Sequence, residues 1–118
     1  TIGPFDSALN MAQAIKDGTV TSRQLVDMCI ARIEQYDGSI NAVVQRDFEG
    51  ARQRADQADG MVQQWKKHGD DKEISLGVFH GVPMTIKEGN TTPGFSMSVG
   101  DPQLAGWLPS WISSETTR

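Results

Sequence analysis

The sequence predicts a helix-rich chain with two short strands on three observations. Two consecutive segments repeat apolar residues every three or four positions between helix start and stop residues. A third segment, rich in alanine, follows them. Two short runs, 40–45 and 83–88, have the composition of strands.

The first helix is expected over about residues 6–17. Phe5, Leu9, Ala12 and Ile15 fall on one face, Asp6 or Ser7 can cap the start, and Gly18 stops it. The second is expected over 22–37. Thr21-Ser22-Arg23-Gln24 has the capping-box pattern, in which a threonine and a glutamine satisfy each other's free backbone amides. Leu25, Val26, Cys29, Ile30 and Ile33 supply the apolar stripe, and Gly38 ends it. Ile40 to Gln45, "INAVVQ", reads as a strand. Asp47 then opens a helix over about 47–66, where Ala51, Ala55 and Ala58 make a narrow face suited to close packing. From Gln63 to Lys72 the chain is polar, a solvated helix end or loop, and His68 in it is expected to be a plain exposed histidine.

The stretch "GVPMTIKE", Gly81 to Glu88, places a lysine at the end of an apolar run. Pro83 cannot donate to a ladder and so marks the first residue of the strand expected over 83–88. With a period of two, Met84, Ile86 and Glu88 face one way, Thr85 and Lys87 the other. "GNTTPG" follows as turn residues, which puts Lys87 at a carboxyl strand end, the edge where open α/β sheets bind ligands. Taken alone, Lys87 is either a surface charge closing a strand or a partly buried amine held for chemistry. His80, between Phe79 and Gly81, is expected to pack or hydrogen-bond rather than act as a base. The remainder, 89–118, reads as coil, with Trp107 and Trp111 placed to cover a hydrophobic surface.

At 118 residues, 37% hydrophobic and 22% charged, the chain suits one domain with no surplus of core. A net charge of −4 with scattered basic residues disfavours a nucleic-acid footprint. Cys29 is a lone cysteine in a helical pattern, expected as a small buried hydrophobe in a reducing compartment. No His, Cys or carboxylate cluster has metal-ligand spacing. No apolar run approaches the roughly 18 residues of a membrane span, so a soluble, cytoplasmic protein without membrane partners is expected.

In order and motif the chain resembles the N-terminal portion of the amidase signature family. The phrase "SRQLVDMCIARIEQYD" from Ser22 to Asp37 is followed by Asn41-Ala42, by an alanine-rich helix ending in Ala58-Asp59, and by Gly81-Val82-Pro83 leading to Lys87-Glu88. Gly94 and Gly100 stand seven and thirteen residues beyond the lysine, as in that family. The resemblance runs from about Ser7 to Gly100, with the lysine motif its most specific part.

It implies an α/β fold in which helices flank a mixed sheet, and a Ser, cis-Ser, Lys triad with Lys87 as its lysine. The amine would take a proton from the nucleophilic serine through the bridging serine and pass one to the departing amine, for which burial has to keep it neutral. No metal or organic cofactor is implied, and the substrate would be a small linear carboxamide. Glu88 would be a supporting or salt-bridging group. The family takes both serines and its oxyanion amides from a Gly- and Ser-rich segment well downstream, whereas this chain stops 31 residues after Lys87. None of Ser96, Ser98, Ser110, Ser113 and Ser114 lies in a glycine-flanked pair. A truncated amidase domain, inactive alone, is therefore expected. The rival is a non-catalytic helical module that docks or self-associates through exposed apolar surface.

Overall fold

The computed structural model describes residues 1–69 and 74–109, which divide between two compact units, Thr1–Pro83 and Met84–Arg118. Trp111, Ser110, Ser113 and Ser114 lie outside the described residues.

The first unit is built from helices α1 (Ala8–Asp17), α2 (Ser22–Tyr36) and α3 (Phe48–His68), with one 3-10 turn, Asp37–Ser39, directly after α2. Local side chains set each boundary. The Asn10 amide donates to Ser7 Oγ at 3.1 Å, so Ser7 rather than Asp6 caps α1. Gly18, at φ 82°, closes α1 in the left-handed region and returns its N–H to the carbonyls of Ala14 and Ile15. The expected capping box opens α2: Gln24 N–H donates to Thr21 Oγ1 (3.0 Å) and Thr21 N–H to Gln24 Oε1 (2.9 Å). Asp47 caps α3 by accepting from Gly50 N–H at 3.0 Å. Beyond residue 66 the helix continues to His68, which is exposed.

Helix α2 packs on α3, and α1 also touches α3. One core cluster joins Met11, Ile15, Leu25 and Val62; a second joins Val26, Ile30 and Ala55, with Phe48 and Ala51 against it. Small Ala51 and Ala55 let α3 approach α2 closely, as their spacing suggested. The buried face of α1 is rotated from the expected one. Met11, Ala12, Ala14 and Ile15 are inside, whereas Leu9 is 61% exposed and Phe5 lies outside under the Arg32 guanidinium, 4.9 Å from its ring centre. Cys29 is half-buried rather than buried; burial pushes its thiol pKa up, against a smaller opposing pull from Arg32, which favours the uncharged thiol.

No strand forms among the described residues, so the expected strands 40–45 and 83–88 are not present and the sheet of an α/β fold is not seen. For 40–45 the reason is local. Asp37, only 5% exposed, accepts from Ala42 N–H at 2.8 Å and from Val43 N–H at 3.2 Å, and pairs with Arg46 at 2.9 Å. Asn41 stands at φ 54°, in the left-handed region that asparagine tolerates, and its N–H donates to the Asp37 carbonyl at 2.7 Å. The β-branched run therefore winds around one carboxylate, which takes the two amides a ladder would need. For 83–88, no neighbouring strand exists among the described residues to pair with it, and a lone strand cannot satisfy its backbone groups.

The Asp37 contacts carry a pH prediction. Ala42 N–H first, then Arg46 and Val43 N–H, hold the carboxyl below its ordinary value of 3.8, outweighing burial, which acts the other way. A folded pKa lowered in this way gives stability that is complete above the unfolded value and lost as pH falls through the folded one. Thermal melts should therefore show Asp37→Asn less stable than the parent chain at pH 7. The gap should narrow only below about pH 4.

Candidate functional site

The residues around the Gly81 turn come together in the first unit. The Asp59 carboxylate, on α3, reaches the open amino end of α2 and accepts from Ser22 N–H at 2.7 Å and from Arg23 N–H at 3.0 Å. With Thr21 holding the Gln24 amide, the first three amides of α2 are all satisfied by carboxylate or hydroxyl oxygens, and the negative charge lies where the helix dipole favours it. The Ser22 hydroxyl points away from its own helix and donates to the Gly81 carbonyl at 2.6 Å. His80 contributes a second hold, its Nε2 being 2.9 Å from the Ala58 carbonyl. A carbonyl only accepts, so this ring nitrogen carries the proton, and His80 is a hydrogen-bonding residue. The Gly81-Val82-Pro83 lead-in thus rests on α2 and α3.

Gly81 is required there on two grounds. Its φ of 77° lies in the left-handed region, and a Cβ would stand 3.1 Å from Ser22 Cβ and 3.3 Å from Ile15 Cδ1. Gly81→Ala is expected to lower stability by about 2 kcal/mol, combining backbone strain with crowding. Gly89→Ala, where an added Cβ meets nothing within 4 Å, should be close to neutral in the same melts.

In the second unit Lys87 is exposed and belongs to no strand, so the buried position on a rigid element expected for it is not seen here. Its carbonyl accepts from Asn90 N–H at 2.9 Å, closing a turn. Glu88 Oε1 accepts from Ser98 N–H at 2.9 Å and from Ser98 Oγ at 2.8 Å, which ties together two positions ten apart in sequence. Gly94 and Gly100 both stand at φ 81°, which explains glycine at those places. Met97 N–H donates to the Trp107 carbonyl at 2.9 Å, and the Trp107 residue remains partly exposed. Among the described residues no group of three or more His, Cys, Asp or Glu is placed to hold a metal ion. No described helix is long and apolar enough to cross a membrane.

The family description that matches this chain is Amidase, over residues 24–117. The chain belongs to the amidase signature family. It is 32% identical over 112 residues to a glutamyl-tRNA(Gln) amidotransferase subunit from Streptomyces coelicolor, an alignment covering 95% of this chain and 21% of that protein. To the fatty-acid amide hydrolase 2-A of Danio rerio it is 35% identical over 94 residues, 80% of this chain and 18% of the other. The corresponding glutamyl-tRNA(Gln) amidotransferase subunit from Synechococcus sp. (strain CC9605) is 30% identical over 106 residues, 90% and 20% of the two chains. The chain thus spans about a fifth of the length of the curated relatives it matches.

Local sequence patterns single out Lys87, Gly94 and Gly100 but not Ser22 and Asp59 as the residues that hold the Gly81 turn. Ser22 is legible only as a helix-start residue, and Asp59 only as the end of an alanine-rich helix. Their contacts join positions 37 and 59 residues apart, which no local pattern encodes.

Proposed function

We propose that the chain is the amino-terminal part of an amidase signature hydrolase that cleaves the carbon–nitrogen bond of linear carboxamides, with Lys87 as the proton-carrying amine. The observation that carries the reading is the family match across residues 24–117, a range that contains the whole "GVPMTIKE" motif. In this reading a serine Oγ attacks the amide carbon while its proton passes through a bridging serine to the Lys87 amine. The tetrahedral intermediate then expels the amine, which receives a proton back along the same route, and water frees the acid from the acyl-serine. None of the serines in residues 1–118 lies in a glycine-flanked pair, so in this reading the polypeptide 1–118 is expected to be inactive alone, since the members of such a unit are grossly non-additive.

Amine release from a panel of linear carboxamides tests this. A polypeptide extended to full amidase length should give a burst of amine equal to its active sites and then steady turnover. No release from any panel member would overturn the reading. Residues 1–118 by themselves should release no more than Lys87→Ala does.

The exposure of Met84, at 72%, together with that of Ile86 and Trp107, favours a second reading as a docking module. It predicts that the 118-residue chain sediments as a dimer and that Trp107→Ala returns it to a monomer. A monomer at every accessible concentration rules out the self-association form.

A further inference from the structure

We propose that Arg32, clamped between Phe5 and Tyr36, marks a docking surface for an acidic, partly apolar peptide segment of another protein. The guanidinium takes a carboxylate, and the exposed rings take the apolar side chain beside it. The proposal lies within the first unit and does not depend on the reading of Lys87. Arg23, Arg46, Arg52 and Arg54 each pair with an aspartate of the same unit. Among the described residues Arg32 pairs with none, although it is half-buried in a chain of net charge −4. Its guanidinium carbon stands instead 4.9 Å from the centre of the Phe5 ring and 5.2 Å from that of Tyr36. Tyr36 lies one turn beyond Arg32 on α2, and Phe5 arrives from the segment leading into α1. Phe5 is 87% exposed and Tyr36 48%, while Leu9, in the first turn of α1, is exposed as well.

Two rings attract the cation but offer its N–H donors no acceptor oxygen. Half-buried, the group has given up part of its hydration without gaining a counter-ion, so an incoming carboxylate supplies what the fold leaves out. The clamp also restrains the long side chain in advance. A planar fork already held in place loses little further freedom when it forms two parallel bonds to a carboxylate. Beside it the exposed rings offer flat apolar faces, which suit an aliphatic or aromatic side chain next to the acid. Charge decides among the occupants. An anionic lipid surface is held by clusters of about 4–8 Lys or Arg, whereas here a single guanidinium stands between two rings of an acidic chain. One restrained fork is matched to one carboxylate.

The test titrates the 118-residue chain with the blocked peptide acetyl-Leu-Glu-Leu-amide and follows it by NMR. The Arg32 Nε–H resonance and the ring resonances of Phe5 and Tyr36 should shift together and saturate, at a peptide concentration that rises with added salt. The neutral peptide acetyl-Leu-Gln-Leu-amide should bind at least roughly tenfold more weakly, and Arg32→Gln should weaken the acidic peptide by a similar factor. Arg32→Lys keeps the charge and the helix but loses the fork, and should cost about threefold or more. Equal binding of the two peptides would overturn the proposal, as would parent affinity in both Arg32 variants. Binding to phosphatidylserine vesicles that the acidic peptide does not displace would put a membrane in place of the acidic partner and overturn it too. The same resonances shifting with protein concentration alone would do so in favour of a second copy. In a polypeptide extended to full amidase length the acidic peptide should still bind; loss of binding there would mean that amidase sequence itself covers Phe5 and Tyr36, which ends the partner reading.

Discussion

If Lys87 is the proton-carrying amine proposed above, Lys87→Ala in a polypeptide extended to full amidase length is expected to lower kcat by at least roughly a thousandfold, with KM within a few-fold of the parent value. In the proposed mechanism the amine would handle protons as bonds to carbon form and break, so its contribution would be made in the transition state and little of it in the bound substrate. Lys87→Arg separates the two readings that the sequence leaves open. A surface cation that only closes an apolar run is replaced well by arginine, and turnover would persist. A proton acceptor is not, because a guanidinium stays charged and has no lone pair to offer. The expected result is that Lys87→Arg is as inactive as Lys87→Ala while melting at the parent temperature. Parent-level kcat in Lys87→Arg would dismiss the amine as a base.

The three helices were legible because their signals are local. Thr21 and Gln24 cap each other across three residues, Gly18 reverses the chain where its φ demands it, and Asp47 holds an amide three positions on. Failures occur where a distant or buried polar group decides. Ile40 to Gln45 has the composition of a strand, yet Asp37 withdraws the Ala42 and Val43 amides from any ladder. The signal was present as an Asp-Gly followed by an asparagine able to turn left-handed, but β-branched composition outweighed it.

The site was legible in part for a related reason. Gly81-Val82-Pro83 and Lys87 stand in one stretch and resemble a family motif, so sequence alone singles them out. What holds the motif is long-range: Asp59 and Ser22 come from separate helices, and Ser22 Oγ meets Gly81 only once α2 and α3 are packed. The expected burial of Lys87 depended on a strand and its neighbours. Among the described residues no sheet surrounds the lysine, and the side chain faces water.

Leu25→Ala is expected to destabilise the chain by about 3 kcal/mol, a large share of the ~5–15 kcal/mol that holds a domain of this size together. Leu25 is 1% exposed at the centre of the cluster formed with Met11, Ile15 and Val62, so truncation removes apolar contact where three helices meet and leaves a void between them. Leu9→Ala supplies the contrast. Sequence periodicity puts Leu9 on the core face, whereas in the fold it is exposed and Met11 takes the inward place. A Leu9→Ala change should stay within about 0.5 kcal/mol. Urea unfolding of the two variants reads both at once. Leu25→Ala should lower the midpoint at an unchanged slope, which reports lost stability rather than a changed denatured state. If Leu9→Ala proved the costlier of the pair, α1 would have to be turned about its axis and the core cluster redrawn around its other face.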